Sequence, residues 1–356
     1  MTPKNLIDIP YVRFESIGIA TPENRLTTKE ILSRIKLPGK FKFELLTGIN
    51  SRKICSPDQD SLSLALDAAN SCINNSSIRG EDIEMVISCS ITKYRNGNNH
   101  VWEPGFSFLI KNAIGAQKAI NFDVSNACAG MLTGVYVAHD FIQRGVVKNC
   151  LIVSGEYISG LIANAIKRIK TPSSSQFASL TVGDGGAAVI MEASDSEKGN
   201  IMLHGFKTLT QYNRLCIGQP RPGLPGASMQ TRAAKIHKVS IEKSISYVQE
   251  ALDQFGLKYS DIDYLLPHQT SKAAIVSGAK KYSEAFKGHP GEVIINLSEN
   301  GNTASTSYFI SLYQYLEKGK FKADDKIMLL SFASGLVFGI VVFEINNLIQ
   351  IHASQN

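Results

Sequence analysis

The sequence predicts an α/β protein in which one unit is used twice. Three observations carry this: apolar runs of strand length alternate with amphipathic stretches, the chain resembles itself, and the composition can bury large sheets. Of 356 residues, 44% are hydrophobic and 19% charged, which excludes a disordered or collagen-like chain. At this length two domains or two fused halves are expected rather than one small core.

The elements follow in order. Residues 61–92 run as an amphipathic helix (SLSLALDAANSCI), a short link with Asp82 and a strand, IEMVISCSIT; residues 240–270 repeat the plan with SIEKSISYVQEALDQFGL, a link with Asp261 and IDYLLPHQT. AINFDVSNAC leads into a helix, and VIINLSENGN leads into another. CLIVSG near residue 150 corresponds to KIMLLSF near 328, and AAVIME closes the first half as FGIVVFE closes the second. Unbroken apolar strands separated by helices imply mostly parallel sheets buried on both faces. The boundary falls near residue 196, in the polar SDSEKGN, giving halves 1–195 and 196–356.

Two segments interrupt the pattern. Ile327 to Phe343 lacks any charge over 17 residues, the lower limit of a membrane span of about 17–25 residues. Gly335, Gly339, Ser331 and Ser334 and the flanking Lys326 and Glu344 fit two buried strands joined by a turn instead. Residues 211–232 (QYNRLCIGQPRPGLPGASMQTR) hold prolines and glycines that exclude a regular element, and we read them as a loop inserted at the surface rather than one covering substrate.

Lys and Arg number 37 against 31 Asp and Glu, a net charge of +6. The excess is spread thinly, so no nucleic-acid footprint is expected. The six cysteines (55, 72, 89, 128, 150 and 216) show no CxxC spacing, and the opening MTPKNLIDIP is not an apolar signal segment. Reduced thiols, a cytoplasmic setting and no membrane partner are the expectation.

Chemistry concentrates at three places. Cys128 in SNACAG precedes AGMLTGVYVAHDFIQ, whose small and apolar residues at helical spacing put the sulfur at the first turn of a buried helix, where N–H groups and the macrodipole favour a thiolate. His268 ends the strand DYLLPH, at the carboxyl edge where α/β sheets bind ligands. Asn302 follows Gly301 in a tight turn at a helix start, at the turn equivalent to that of Cys128. Taken singly these residues also read as a packed thiol, a structural histidine and a helix cap. Together they converge on one cleft.

These residues stand within motifs that span nearly the whole chain: TGINSRK from residue 47, FDVSNACAG around Cys128, VGDGGAA at 182–188, PHQT at 267–270, ENGNTAS at 299–305 and SFASGLVFG at 331–339. By them the sequence resembles the thiolase superfamily, and within it the β-ketoacyl-acyl-carrier-protein synthase III group of condensing enzymes. The resemblance implies duplicated βαβαβαββ halves in a five-layer α-β-α-β-α thiolase fold and a homodimer, consistent with an edge strand such as AINFDV needing cover. It further implies acylation of Cys128 by a thioester, His268 and Asn302 hydrogen-bonding the second thioester's carbonyl, and backbone N–H groups of Cys128 and Ser334 as oxyanion hole. Neither metal nor bound cofactor is required, because a neutral imidazole and an amide stabilise the enolate.

Two departures shape the expected function. Where relatives grip coenzyme A with a tryptophan and arginines, this chain has Lys42, Leu46 and Ala273, with Lys272 beside the last. That disfavours short acyl-coenzyme A and points to acyl groups delivered on an acidic acyl carrier protein, coenzyme A thioesters remaining open. Second, Glu103 in HVWEPGFSF occupies a loop that in the family reaches the partner subunit's acyl tunnel and usually holds an apolar residue. Enzymes that join two acyl chains head to head without decarboxylation are similar in having a glutamate there and in the SNAC spelling. Without loss of CO2 a base must remove an α-proton. Glu156 in SGEYIS is the secondary carboxylate candidate.

The expected function is therefore carbon–carbon bond formation between two acyl thioesters in specialised fatty-acid or polyketide metabolism, non-decarboxylative and open to later cyclisation. A decarboxylating synthase using malonyl-carrier protein is the alternative. A Cys/His/Asn thioester hydrolase has the same chain order of residues, but the duplication and the helix-start setting of the Asn speak against it.

Overall fold

The computed structural model describes residues 10–36, 42–97, 99–223 and 226–353. The segment 1–9, read above for a signal sequence, and residues 224–225 of the proline-rich stretch lie outside them. The core elements are numbered here in chain order. The first half contains β1 (Tyr11–Ala20), α1 (Ser61–Asn74), β2 (Met85–Ser88), α2 (Phe106–Ala113), β3 (Ile120–Asp123), α3 (Gly130–Gln143), β4 (Asn149–Glu156) and β5 (Gly185–Ser194). Next come β6 (Ile201–Thr208) and a hairpin of β7 (Cys216–Pro220) and β8 (Ala227–Thr231). The second half continues with α4 (Ala233–Gln254), β9 (Tyr264–Pro267), α5 (Lys272–Phe286), β10 (Glu292–Val293), α6 (Ser307–Glu317), β11 (Lys326–Ala333) and β12 (Val337–Glu344). With the hairpin, the two other short ladders and the additional helices (Thr28–Ser33, Phe43–Thr47, Gly160–Arg168, Leu297–Asn300 and Asn346–Ala353) set aside, the core elements of each half read βαβαβαββ.

Each half makes one five-stranded sheet, in the orders β1-β5-β4-β2-β3 and β6-β12-β11-β9-β10. The two orders are the same path drawn twice. The sheets are mixed, which corrects the expectation of mostly parallel ones: β2 pairs in parallel with β3 and β4, whereas β5 runs antiparallel to both β1 and β4. The second sheet repeats this pattern. An unbroken apolar strand reports burial on two faces but not direction.

Alternating side chains of these strands serve different layers. Leu151 and Val153 of β4 pack with Leu62 and Ala65 of α1 and Phe106 of α2, whereas Ile152 between them packs inward with Leu132 and Val135 of α3. On the second sheet Leu329 and Val341 face α3 and α6, and Leu330 and Ile340 face Val248 of α4 and Tyr282 of α5. Five layers result, α1/α2, sheet, α3/α6, sheet, α4/α5. Each fully buried aliphatic side chain contributes about 1.5–3 kcal/mol, so strands buried on both faces contribute twice over. Gly155 on β4 marks how closely α1 seats, since a Cβ there would lie 2.0 Å from the Ser61 carbonyl oxygen.

The uncharged run 327–343 is the pair β11–β12, antiparallel from Lys326↔Glu344 to Ala333↔Val337. Among the described residues no helix is long and apolar enough to cross a membrane. At the edge of the first sheet lies β3, with Ile120 exposed. Residues 211–232 are not irregular: Cys216↔Thr231 through Pro220↔Ala227 form a two-stranded ladder. Pro220 ends β7, and Pro222, Gly223 and Gly226 lie beyond it, where no ladder donor is needed, while Gly218 sits within β7 opposite Met229.

Candidate active site

Both halves deliver a single 3-10 turn into the central helix layer. Ala127–Ala129 leads into α3 and Ala304–Thr306 into α6. Each turn opens on a left-handed alanine, Ala127 at φ 46° and Ala304 at φ 53°, a conformation that costs a non-glycine residue about 1–3 kcal/mol. Matching the turns residue by residue sets Cys128 opposite Ser305. Asn302 lies three positions before Ser305, so the equivalence expected from sequence holds for the turns and not for the two side chains.

A cavity of about 590 Å³ brings together Cys128, His268, Asn302 and Ser334. Its wall is mostly apolar, and Phe43, Thr47 and Ala273 belong to it as well. Cys128 is partly buried against Ala129, Ala333 and Val337. Burial pushes its thiol up, and Cys216 and Glu156 nearby push it further. Desolvation thus works against the thiolate that the helix-start N–H groups favour.

His268 continues the parallel pairing of β9 with β11 through its N–H to the Leu330 carbonyl, 2.9 Å. Its Nδ1 lies 3.2 Å from Ser307 Oγ, and Tyr308 stands against the ring at 5.7 Å. Burial lowers its pKa to about 4, so the imidazole is neutral at pH 7. The contact with Ser307 is compatible with either tautomer; the one in which the Ser307 hydroxyl donates to Nδ1 carries the proton on Nε2, free for donation into the cavity.

Asn302 is held from both halves. Its N–H donates to the Thr181 carbonyl at 2.8 Å, and its own carbonyl accepts from Gly183 at 3.0 Å. Its Oδ1 accepts from the Ala304 N–H at 3.0 Å, which leaves the Nδ2 group as the free donor. Ser334 lies in the turn between β11 and β12. Ser307, at the start of α6, was not foreseen, since nothing in ENGNTAS signals that the next serine lies beneath a histidine 39 positions away.

The hairpin β7–β8 supplies Cys216, Met229 and Thr231 to the cavity. The segment read as a surface insertion is thus a wall of the site, and it brings a second thiol there. Glu103 and Glu156 are not among the cavity residues. Glu103 is exposed in the segment that precedes α2, beside Trp102, itself 83% exposed.

Glu156 is fully buried at the end of β4. Oε1 accepts from the Ile91 N–H (3.0 Å), Ser154 Oγ (3.2 Å) and Ser305 Oγ (2.5 Å), and Oε2 from the N–H and hydroxyl of Thr92. It ties the Cys128-equivalent position of the second half to the first sheet. Burial raises its pKa to about 7 against these hydrogen bonds. A carboxyl raised in the folded state gives stability that is full below the unfolded value of 4.5 and is lost as pH rises through 7. The loss is about 3 kcal/mol. Glu156→Gln is expected to flatten that slope in urea-unfolding free energies measured from pH 4.5 to 8; an unchanged slope would assign it to other groups.

The paired sheets around one central helix layer, with a cysteine, a histidine and an asparagine on a shared cavity, have the architecture of the thiolase fold. Residues 122–208 match the family model "3-Oxoacyl-[acyl-carrier-protein (ACP)] synthase III" and residues 252–345 the model of its C-terminal part. The chain belongs to this synthase III family and is an acyltransferase of the ketosynthase type. It is 29% identical over 346 residues to the beta-ketoacyl-[acyl-carrier-protein] synthase III of Clostridium novyi, covering 94% of this chain and 99% of that one. The Fusobacterium nucleatum enzyme of that name is 26% identical, covering 94% and 98%.

Similar solved structures carry the same thiolase fold. The Aquifex aeolicus 3-oxoacyl-[acyl-carrier-protein] synthase III superposes with a TM-score of 0.78 at 21% identity, covering 94% of this chain and 99% of that one. Cerulenin-bound OleA of Xanthomonas campestris superposes at 0.83 with 24% identity, covering 94% and 97%.

Proposed function

We propose that the protein joins two acyl thioesters head to head by Claisen condensation, without decarboxylation, through an acyl-Cys128 intermediate. The observation that carries the reading is the gathering of Cys128, His268 and Asn302 on one apolar cavity. In the first step the thiol sulfur of Cys128 bonds to the donor's carbonyl carbon and the carrier thiol leaves with a proton. The N–H groups of Cys128 and Ser334 stabilise the oxyanion formed on the way. In the second step His268 Nε2 and Asn302 Nδ2 donate to the acceptor thioester's carbonyl oxygen; the enolate carbon bonds to the acyl carbonyl carbon, the C–S bond to Cys128 breaks, and the released thiolate takes up the proton removed from the acceptor's α-carbon.

Glu103 is the base for the acceptor's α-proton, reaching the cavity of the partner subunit in a homodimer. Its exposure beside Trp102, and the exposed edge strand β3, support such a pairing. The donors are acyl groups on an acyl carrier protein or coenzyme A. Leu46 and Ala273, standing where relatives carry arginines, favour the carrier protein. Long chains are supported by an OleA structure that holds lauric acid and lauroyl-CoA. Specialised fatty-acid or polyketide synthesis, with cyclisation of the joined product, is the setting this chemistry suits.

A second reading, decarboxylative extension with malonyl-carrier protein, is favoured by the names of the curated relatives. The two separate on Glu103→Gln and Glu103→Ala, assayed with malonyl and non-malonyl acceptors. Both variants are expected to lose non-malonyl condensation by on the order of 10²-fold or more while keeping malonyl extension. Unchanged non-malonyl activity in both removes the base role.

A further inference from the structure

We propose that Ser307 is a positioning residue for the condensation step, its hydroxyl holding the His268 proton on Nε2, where the second thioester's carbonyl needs a donor. The inference rests on the condensing reading above and adds what selects between the two imidazole tautomers.

A neutral imidazole carries one ring proton, and the other nitrogen presents a lone pair. His268 Nδ1 meets Ser307 Oγ in a buried contact between the end of β9 and the start of α6. Nε2 has no hydrogen-bond partner among the described residues, yet it is not one of the sealed polar atoms, and His268 lines the cavity. Two arrangements satisfy the contact. In one, Ser307 donates to Nδ1 and the ring proton sits on Nε2. In the other, Nδ1 donates to Ser307 Oγ, and the serine's own proton needs an acceptor elsewhere.

That acceptor is missing. A helical serine ordinarily donates to the carbonyl one turn back. For Ser307 this is the carbonyl of Thr303, which already accepts from the Thr306 N–H at 3.3 Å and the Thr306 hydroxyl at 2.8 Å. Ser307 is only 2% exposed, and among the described residues its hydroxyl has one hydrogen-bond partner, His268 Nδ1. The second arrangement therefore strands a buried donor, whereas the first leaves only acceptor capacity unused, which folded proteins tolerate better. Tyr308, fully buried against the ring, restricts the imidazole from turning Nε2 toward the serine.

The tautomer matters to one half-reaction. With the proton on Nε2, His268 and Asn302 Nδ2 put two donors on the second thioester's oxygen, and both strengthen as negative charge grows there. A hydroxyl donating to Nδ1 also polarises the ring and makes Nε2–H the stronger donor. With the proton on Nδ1, a lone pair would face that same oxygen. Acylation of Cys128 makes no such demand, since its oxyanion is met by backbone N–H groups.

The test reads tautomer and half-reactions separately. Long-range proton–nitrogen NMR spectra of histidine-labelled protein at pH 7 show which His268 nitrogen is protonated, with the signal assigned by its loss in His268→Gln. The wild-type protein is expected to hold the Nε2–H form in excess by about tenfold or more, the effect of one buried hydroxyl left unpaired. In Ser307→Ala the Nδ1–H share is expected to rise and condensation to slow by about fivefold or more. Acylation of Cys128, timed by intact-protein mass spectrometry, should keep its rate. Ser307→Thr retains the hydroxyl and is expected to restore both the tautomer ratio and condensation.

Nδ1–H as the main wild-type form overturns the proposal on its own, before any variant is made. So does a Ser307→Ala protein with unchanged tautomer ratio and condensation rate. Equal slowing of acylation and condensation also overturns it, by making Ser307 a support of the whole cavity. The spectra need no substrate, so a wild-type protein that condenses no pair of thioesters would refute the condensing reading and not the tautomer assignment.

Discussion

Cys128→Ala is expected to abolish condensation, with a loss on the order of 10⁴-fold or more, as removal of a covalent nucleophile does in enzymes whose machinery acts as a unit. The fold should survive, because the residue is only partly buried and alanine fits among Ala129, Ala333 and Val337. Cys216 faces the same cavity, so the measurement must locate the adduct as well as count it. Peptide mapping after incubation with an acyl thioester should find the acyl group on the peptide containing Cys128 in the wild-type protein and nowhere in the variant. Acylation of Cys216 in the variant, with condensation retained, would transfer the role to the hairpin thiol.

Gly301→Ala is expected to separate the two half-reactions. Gly301 has φ +68°, and a Cβ there would meet the Thr181 carbonyl oxygen at 2.7 Å and Arg52 Cβ at 3.0 Å. Thr181 is the residue whose carbonyl holds the Asn302 N–H. Arg52 is fully buried and binds the Leu180 carbonyl through Nη2 at 2.7 Å. None of these neighbours can yield without moving the Asn302 turn. The left-handed backbone and the overlap together cost about 3 kcal/mol, visible as a lower midpoint in thermal unfolding. Cys128 lies on the other half's turn, so its acylation should persist while transfer to the second thioester drops with the displacement of Nδ2. Equal loss of both steps would mean that the turn supports the whole cavity rather than the second carbonyl.

The repeat was legible because the central apolar strands are buried on two faces and keep their identity in one dimension. Met85–Ser88 and Tyr264–Pro267 occupy corresponding places in the two sheets. The β11–β12 pair was legible for a related reason, its glycines and serines falling at the turn that a membrane helix would not need. What escaped reading depends on packing between distant segments. Strand direction in β5 and β12 is set by pairing. The hairpin at 216–231 pairs only with itself, and its value lies in covering a cavity formed by residues more than 80 positions away in one direction and 30 in the other.

The site was legible as residue types and not as energetics. PHQ at a strand end marks a histidine aimed at the cleft, but its pKa near 4 follows from burial beside Ser307 and Tyr308. SGEYIS marks a carboxylate, but its five hydrogen bonds, one of them to Ser305, belong to the joint between the halves.

The central claim, two thioesters joined through Cys128, is tested most directly by a chase. The protein is acylated with one thioester, freed of excess donor, and mixed with a second, isotopically labelled thioester while the mass of the protein and of the small-molecule products is followed. A stable acyl-Cys128 is expected that disappears only on addition of the second thioester, with both chains found in one product. Prompt release of the first chain as free acid before any second thioester is added would contradict it.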